Sequence, residues 1–134
     1  MSMFCQQCEQ TFRGQGCETM GVCGKTAEVA ALQDVLIHAI KSLATHAWPA
    51  RQKGEARPEV DYFVLEGIFA TLTNVNFDPD SLEKMIYRAN SLKGTFEGCC
   101  ADGGSSVIAD WIPAEDRQGL LDQARRVGVR SDEE

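Results

Sequence analysis

Apolar residues recur at helical intervals through the middle of the chain and at no regular interval before it. From residue 26 onward, Val29, Leu32, Leu36, Ile40, Leu43 and Ala47 trace one stripe of the kind an amphipathic helix buries. Thr26 is placed to cap this first helix, with Glu28 in its first turn, where negative charge is favourable. Pro49 is expected to end it. A polar loop with Gly54 and Pro58 follows, then a second helix with Val64, Ile68 and Leu72 that stops near Asn74–Phe77. Asp78-Pro79 is a strong start signal, a cap residue followed by proline at the first helical position. Leu82, Ile86, Ala89 and Phe96 mark the third helix.

Residues 99–134 are less regular. Cys99–Ser106 read as a loop with Gly103-Gly104, and Trp111-Ile112-Pro113 is expected to lie against the helices. A short helix over roughly Ala114–Val127 would bury Leu120, Leu121 and Ala124. Ser131–Glu134 is a charged end expected to be mobile. The fold class expected is all-α: a three-helix bundle over 26–98, an irregular cysteine-rich loop over 1–25, and a loop with a short C-terminal helix over 99–134 packed on the bundle.

Composition adds limits more than identity. With 134 residues, 43% of them hydrophobic, the chain suits one domain with one core. A formal net charge of -7 repels nucleic acid and anionic membranes, so neither is expected as a partner. No apolar run is long enough to span a bilayer, and Met1–Cys5 has no signal-peptide character. A cytoplasmic location is expected.

The chemistry lies in the six cysteines. Four of them, Cys5, Cys8, Cys17 and Cys23, fall in the spacing C-x2-C-x8-C-x5-C, and Cys99 and Cys100 are adjacent. Clustering at one end suggests a shared ligand rather than a disulfide framework. Soft sulfur donors select iron–sulfur clusters or zinc. The glycine-rich path between them suits a bulky cluster, whereas structural zinc favours paired knuckles and the Cys17–Cys23 interval is wide for one. Zinc, disulfides or free thiols remain the alternatives.

Other conspicuous residues have plainer readings. His38 is expected to face solvent, and His46 to interact with the end of its helix. Trp48, Phe63, Phe69, Phe77, Phe96 and Trp111 are expected in the core. Glu9, Glu18 and Glu28 carry no catalytic pattern, and no phosphate loop is present. Cys99 and Cys100 are read as a buried residue and an incidental thiol, with some redox sensitivity open to them.

The stretch FCQQCEQTFRGQGCETMGVCGKTAEVAALQDVLIHAIKSLA resembles the N-terminus of the hybrid cluster protein family, also called prismane or hydroxylamine reductase. DYFVLEGIFATLTNVNFDPDSLEKMI and WIPAEDRQGLLDQARRVGVRSDEE resemble later parts of the same N-terminal region. The resemblance implies that Cys5, Cys8, Cys17 and Cys23 bind a [4Fe-4S] cluster, their spacing being closer to that form than to the [2Fe-2S] branch. It also implies that the His, Glu and Cys residues that hold the family's catalytic mixed cluster lie in later domains absent from this chain. The expected role is therefore electron transfer without catalysis by the chain alone. Its partner would be a redox protein or a separate catalytic half. A structural metal site that mediates protein interaction, without redox turnover, is the alternative.

Overall fold

A computed structural model describes residues 2–96 and 106–128. It is all-helical, as the periodicity predicts. After a short 3-10 turn at Phe12–Gly14 come α1 (Ala27–Gln52), α2 (Pro58–Ala70), α3 (Pro79–Gly94) and α4 (Arg117–Val127). Cys99, Cys100 and the acidic end 131–134 lie outside the described residues.

Helix α1 is the axis of the molecule. Thr26 caps it by accepting the Val29 N–H at 3.2 Å. Val29, Leu32, Val35, Leu36, Ala39, Ile40 and Leu43 are all buried, a band wider than the single stripe in the sequence. That width lets α1 meet three partners, packing most extensively on α3, then on α4, and less on α2.

The expected stop at Pro49 is wrong. The helix runs through it to Gln52, because Ala50 beyond it is fully buried in the core and the proline sits one turn from the end. There the ring forfeits a single hydrogen bond, a smaller loss than in mid-helix. His46 is consequently not at the helix end. Its Nδ1 lies 3.1 Å from the Ser42 carbonyl inside the helix.

Helix α2 starts with Pro58 at its first turn and ends at Ala70. Its buried face is Val60, Phe63, Gly67 and Ala70, with Val64 partly buried against the core, whereas Ile68 and Leu72 are exposed. Two of those four residues are too small to register as apolar. They let α2 approach closely: a Cβ on Gly67 would stand 2.6 Å from Ile40 Cδ1. Tyr62, Leu65, Ile68, Phe69 and Leu72 face outward, together with Trp48 of α1. Trp48 and Phe69, expected in the core, are 62% and 60% exposed. Phe63 and Phe96 are buried, and Phe77 and Trp111 are partly buried against the core.

Helix α3 begins where Asp78-Pro79 indicated, with the Asp78 carboxylate accepting the Asp80 N–H at 3.0 Å. Leu82, Ile86 and Ala89 fill its inner face. Lys93 then donates to the Ala109 and Trp111 carbonyls, fixing segment 106–113 against the bundle. Helix α4 buries Leu120, Leu121 and Ala124. Arg117 at its start bridges Glu28 of α1 at 3.2 Å and Asp80 and Glu83 of α3 at 2.5 and 2.6 Å. Among the described residues, no helix is long and apolar enough to cross a membrane.

Candidate metal centre

The first 25 residues fold back on themselves beside the start of α1. Cys5 and Cys17 form an antiparallel bridge and exchange both backbone hydrogen bonds, at 3.0 and 2.9 Å. Two residues that the sequence places far apart therefore stand side by side. Cys8 opens a turn in which its carbonyl accepts the Thr11 N–H at 3.2 Å. The Thr11 hydroxyl donates to the Cys5 carbonyl at 3.0 Å and lies 3.7 Å from Cys17 Sγ. Cys23 sits in a second turn, closed by the Gly21 N–H donating to the Lys25 carbonyl at 2.8 Å. The fold thus pairs Cys5 with Cys17 directly, and Cys8 and Cys23 lie in the turns that follow each of them along the chain.

The surroundings favour sulfur in its anionic form. The Phe12 N–H donates to Cys17 Sγ at 3.4 Å. That bond, together with one from the Val22 backbone, holds the Cys17 thiol below its usual pKa, although burial pushes the other way. Thr11 and the Lys25 charge act in the same direction as the backbone donors. Lys25 Nζ donates to Cys5 Sγ at 3.7 Å. These donors are the kind that surround thiolate ligands of an iron–sulfur cluster and tune it.

Among the described residues, no three His, Cys, Asp or Glu side chains converge to hold a single metal ion. Thiolate donors that accept hydrogen bonds at sulfur fit a soft-metal group, an iron–sulfur cluster among them.

The loop is seated on the bundle by a few contacts. Met3, Cys17 and Ala30 form a small buried cluster of their own. Gln7 donates from Nε2 to the Thr71 carbonyl at 2.8 Å and accepts from the Thr73 hydroxyl at 3.0 Å. Phe12 is 55% exposed, and Met3 is the loop's buried apolar side chain.

His38 is also not a plain solvent-facing residue. It packs edge-on to Trp111, with ring centroids 5.1 Å apart. Burial, with help from Lys41, holds its pKa below the usual imidazole value. It lines a cavity of about 450 Å³ that also reaches Cys5 and Lys25. Thr11, Lys25 and the Phe12 N–H were not singled out in the sequence. A lysine two residues past the last clustered cysteine was the one visible sign.

Fold and site together define a small all-helical domain that carries a cysteine-rich loop of metal-centre type. The chain belongs to the Prismane/CO dehydrogenase family, whose model matches residues 3–133. This is a family of iron–sulfur, metal-binding oxidoreductases, as the sequence resemblance implied. Its relatives include the hydroxylamine reductase of Rhodospirillum rubrum, 48% identical over 89% of this chain but only 23% of the relative. The hydroxylamine reductases of Geobacter metallireducens and Geobacter sulfurreducens are 41% and 43% identical over 98% of this chain and 26% of each relative. The chain thus spans about a quarter of the length of the curated relatives it matches.

Proposed function

We propose that this chain is an iron–sulfur electron-transfer domain of hydroxylamine reductase type, with Cys5, Cys8, Cys17 and Cys23 as ligands of one [4Fe-4S] cluster. The observation that carries this is the set of hydrogen-bond donors directed at the sulfurs: the Phe12 N–H at Cys17 and the Lys25 ammonium at Cys5. Family membership and the C-x2-C-x8-C-x5-C spacing support it.

The cluster, when bound, supplies one-electron chemistry. The protein's own residues would hold the four sulfurs in place, favour the thiolate form of Cys17 by backbone hydrogen bonds and shield it from water. Cys17 is buried, whereas Cys5, Cys8 and Cys23 are half-buried. Electrons would therefore enter or leave on the side of the latter three. Catalytic reduction of hydroxylamine belongs, in this proposal, to the additional length of the relatives. The isolated chain passes electrons without turning over substrate. Its partner is that catalytic portion, in the same chain or in another. The outward apolar face of α2 (Tyr62, Leu65, Ile68 and Phe69), with Leu72 just beyond the helix end, is the surface offered to it, because a face of that composition is rarely left in water. A cytoplasmic setting, where thiolates stay reduced, completes the proposal.

The test is chain purified without oxygen and reconstituted with iron and sulfide. About four irons and four sulfides per chain, broad absorption near ~400 nm from thiolate–iron charge transfer, and an electron paramagnetic resonance signal on reduction are expected. Colourless protein holding zinc would establish the structural alternative instead.

A further inference from the structure

Lys25 is 3% exposed and, among the described residues, is the single ionic side chain of the buried polar set, the others being Gln33, Ser42 and Thr71. An ammonium removed from water is costly unless an anion compensates it. Among the described residues no carboxylate forms an ion pair with Lys25. Its Nζ instead donates to Cys5 Sγ at 3.7 Å and lies 5.8 Å from the centroid of the Phe77 ring. A neutral thiol is a weak acceptor and poor compensation for a buried charge. A thiolate held permanently by iron is an anion and compensates it well.

The backbone of Lys25 is also held where it is. Its carbonyl takes the Gly21 N–H at 2.8 Å, closing the turn that carries Cys23. A Cβ on Gly21 would stand 3.0 Å from Lys25 Cβ and 3.0 Å from Cys23 Sγ, so glycine is what allows lysine and cysteine to pack together there.

We propose that Lys25 is a positioning and charge-balancing residue for the cluster: its buried ammonium, set against Cys5 Sγ, offsets thiolate charge and raises the reduction potential. This rests on the function proposed above. Four thiolates on a [4Fe-4S]2+ core carry a net charge of about -2, and accepting an electron from an external donor makes it more negative. A fixed cation in a medium of low dielectric favours the reduced state over the oxidised one. The effect requires that water not replace the ammonium. The cavity beside Lys25, lined also by Asp34, His38 and Lys41, would admit water if the side chain were cut short. The informative substitution therefore keeps the length and removes the charge.

Lys25→Met and Lys25→Arg are compared with the parent chain after anaerobic reconstitution. Iron and sulfide per chain are measured, and the midpoint potential is read from the reduced cluster's electron paramagnetic resonance signal during a dithionite titration. The expected result is parent-level iron and sulfide in both variants, a lower potential for K25M, and a potential for K25R nearer to the parent. Should K25M fail to load while K25R loads, the requirement for charge is supported by occupancy instead. Full loading of K25M at the parent's potential would overturn the proposal. So would failure of both variants to load while their helical circular dichroism is unchanged, because the position would then matter for packing and not for charge. A parent chain that takes up no iron and sulfide defeats the proposed function itself, a result visible before any variant is compared.

Discussion

Phe4 lies across Gly16 so closely that a Cβ at residue 16 would stand 2.4 Å from Phe4 Cε2. Gly16 also has a φ of 145°, a conformation that side chains disfavour. It immediately precedes Cys17, so the backbone path that pairs Cys17 with Cys5 depends on it. Gly16→Ala is expected to cut iron per reconstituted chain to less than half of the parent value and to leave the helical circular dichroism unchanged. Parent-level iron in G16A would show that the loop tolerates a different path.

Each cysteine can be tested in turn. Serine at Cys5, Cys8, Cys17 or Cys23 should reduce cluster content severely, and serine at Cys99 or Cys100 should not. Iron analysis of six single variants decides this. If C99S empties the site while C17S does not, the ligand assignment is wrong.

Removal of the metal should release the loop and spare the bundle. Ordering roughly 20 residues costs on the order of 20–40 kcal/mol of backbone entropy. The loop's own apolar anchor is small, essentially Met3 and Cys17 against Ala30. Cluster ligation must supply much of the difference. Hydrogen exchange on loaded and cluster-free protein should show protection lost before Lys25 and largely retained from Ala31 to Phe96. Equal loss in both regions would mean that the cluster organises the whole fold.

The Arg117 junction makes stability depend on acid. Hydrogen bonding to Arg117, and its charge, hold the Asp80 carboxyl below its usual pKa of 3.8. A group depressed in the folded state contributes stability that is fully present above the unfolded pKa. That stability is lost as pH falls through the lower folded value. Arg117→Met should therefore lower the melting temperature at neutral pH, and the difference from the parent should shrink below about pH 4. High salt should narrow it as well, because these groups are partly exposed. A difference independent of both pH and salt would point to lost packing alone.

Helix α2 rests on few large side chains. Phe63 is fully buried, with the Arg88 guanidinium 5.2 Å from its ring centroid. Phe63→Ala should cost about 3–5 kcal/mol in denaturant unfolding. Leu65→Lys on the outward face should cost little, since Leu65 is 70% exposed. Comparable losses from both would mean that the outward face is packed in solution.

What could be read in advance was whatever local chemistry dictates. Thr26 and Asp78-Pro79 mark helix starts because capping depends on neighbours in sequence, and both caps are made. Leu32, Leu36 and Leu43 were legible because large apolar side chains announce their face. Gly67 and Ala70 were not, since a small residue contributes to packing by what it lacks. Pro49 misled because its cost was weighed without the burial of Ala50 just beyond it. At the site, the four cysteines stood out by type and spacing. The Cys5–Cys17 bridge and the Lys25 contact arise from the loop's return path, which no periodicity encodes.

Helix α1 runs unbroken from Ala27 to Gln52, about 39 Å at roughly 1.5 Å per residue. The cysteine loop sits at one end, and Lys53 follows the other. A tether attached at Lys53 would leave the sulfur-bearing tip facing away from whatever the tether is fixed to. On an electrode, that orientation would hold the proposed cluster roughly one helix length from the surface. Wiring through the loop end would bring it within reach. Current measured from the two attachments should therefore differ for the same cluster-loaded protein.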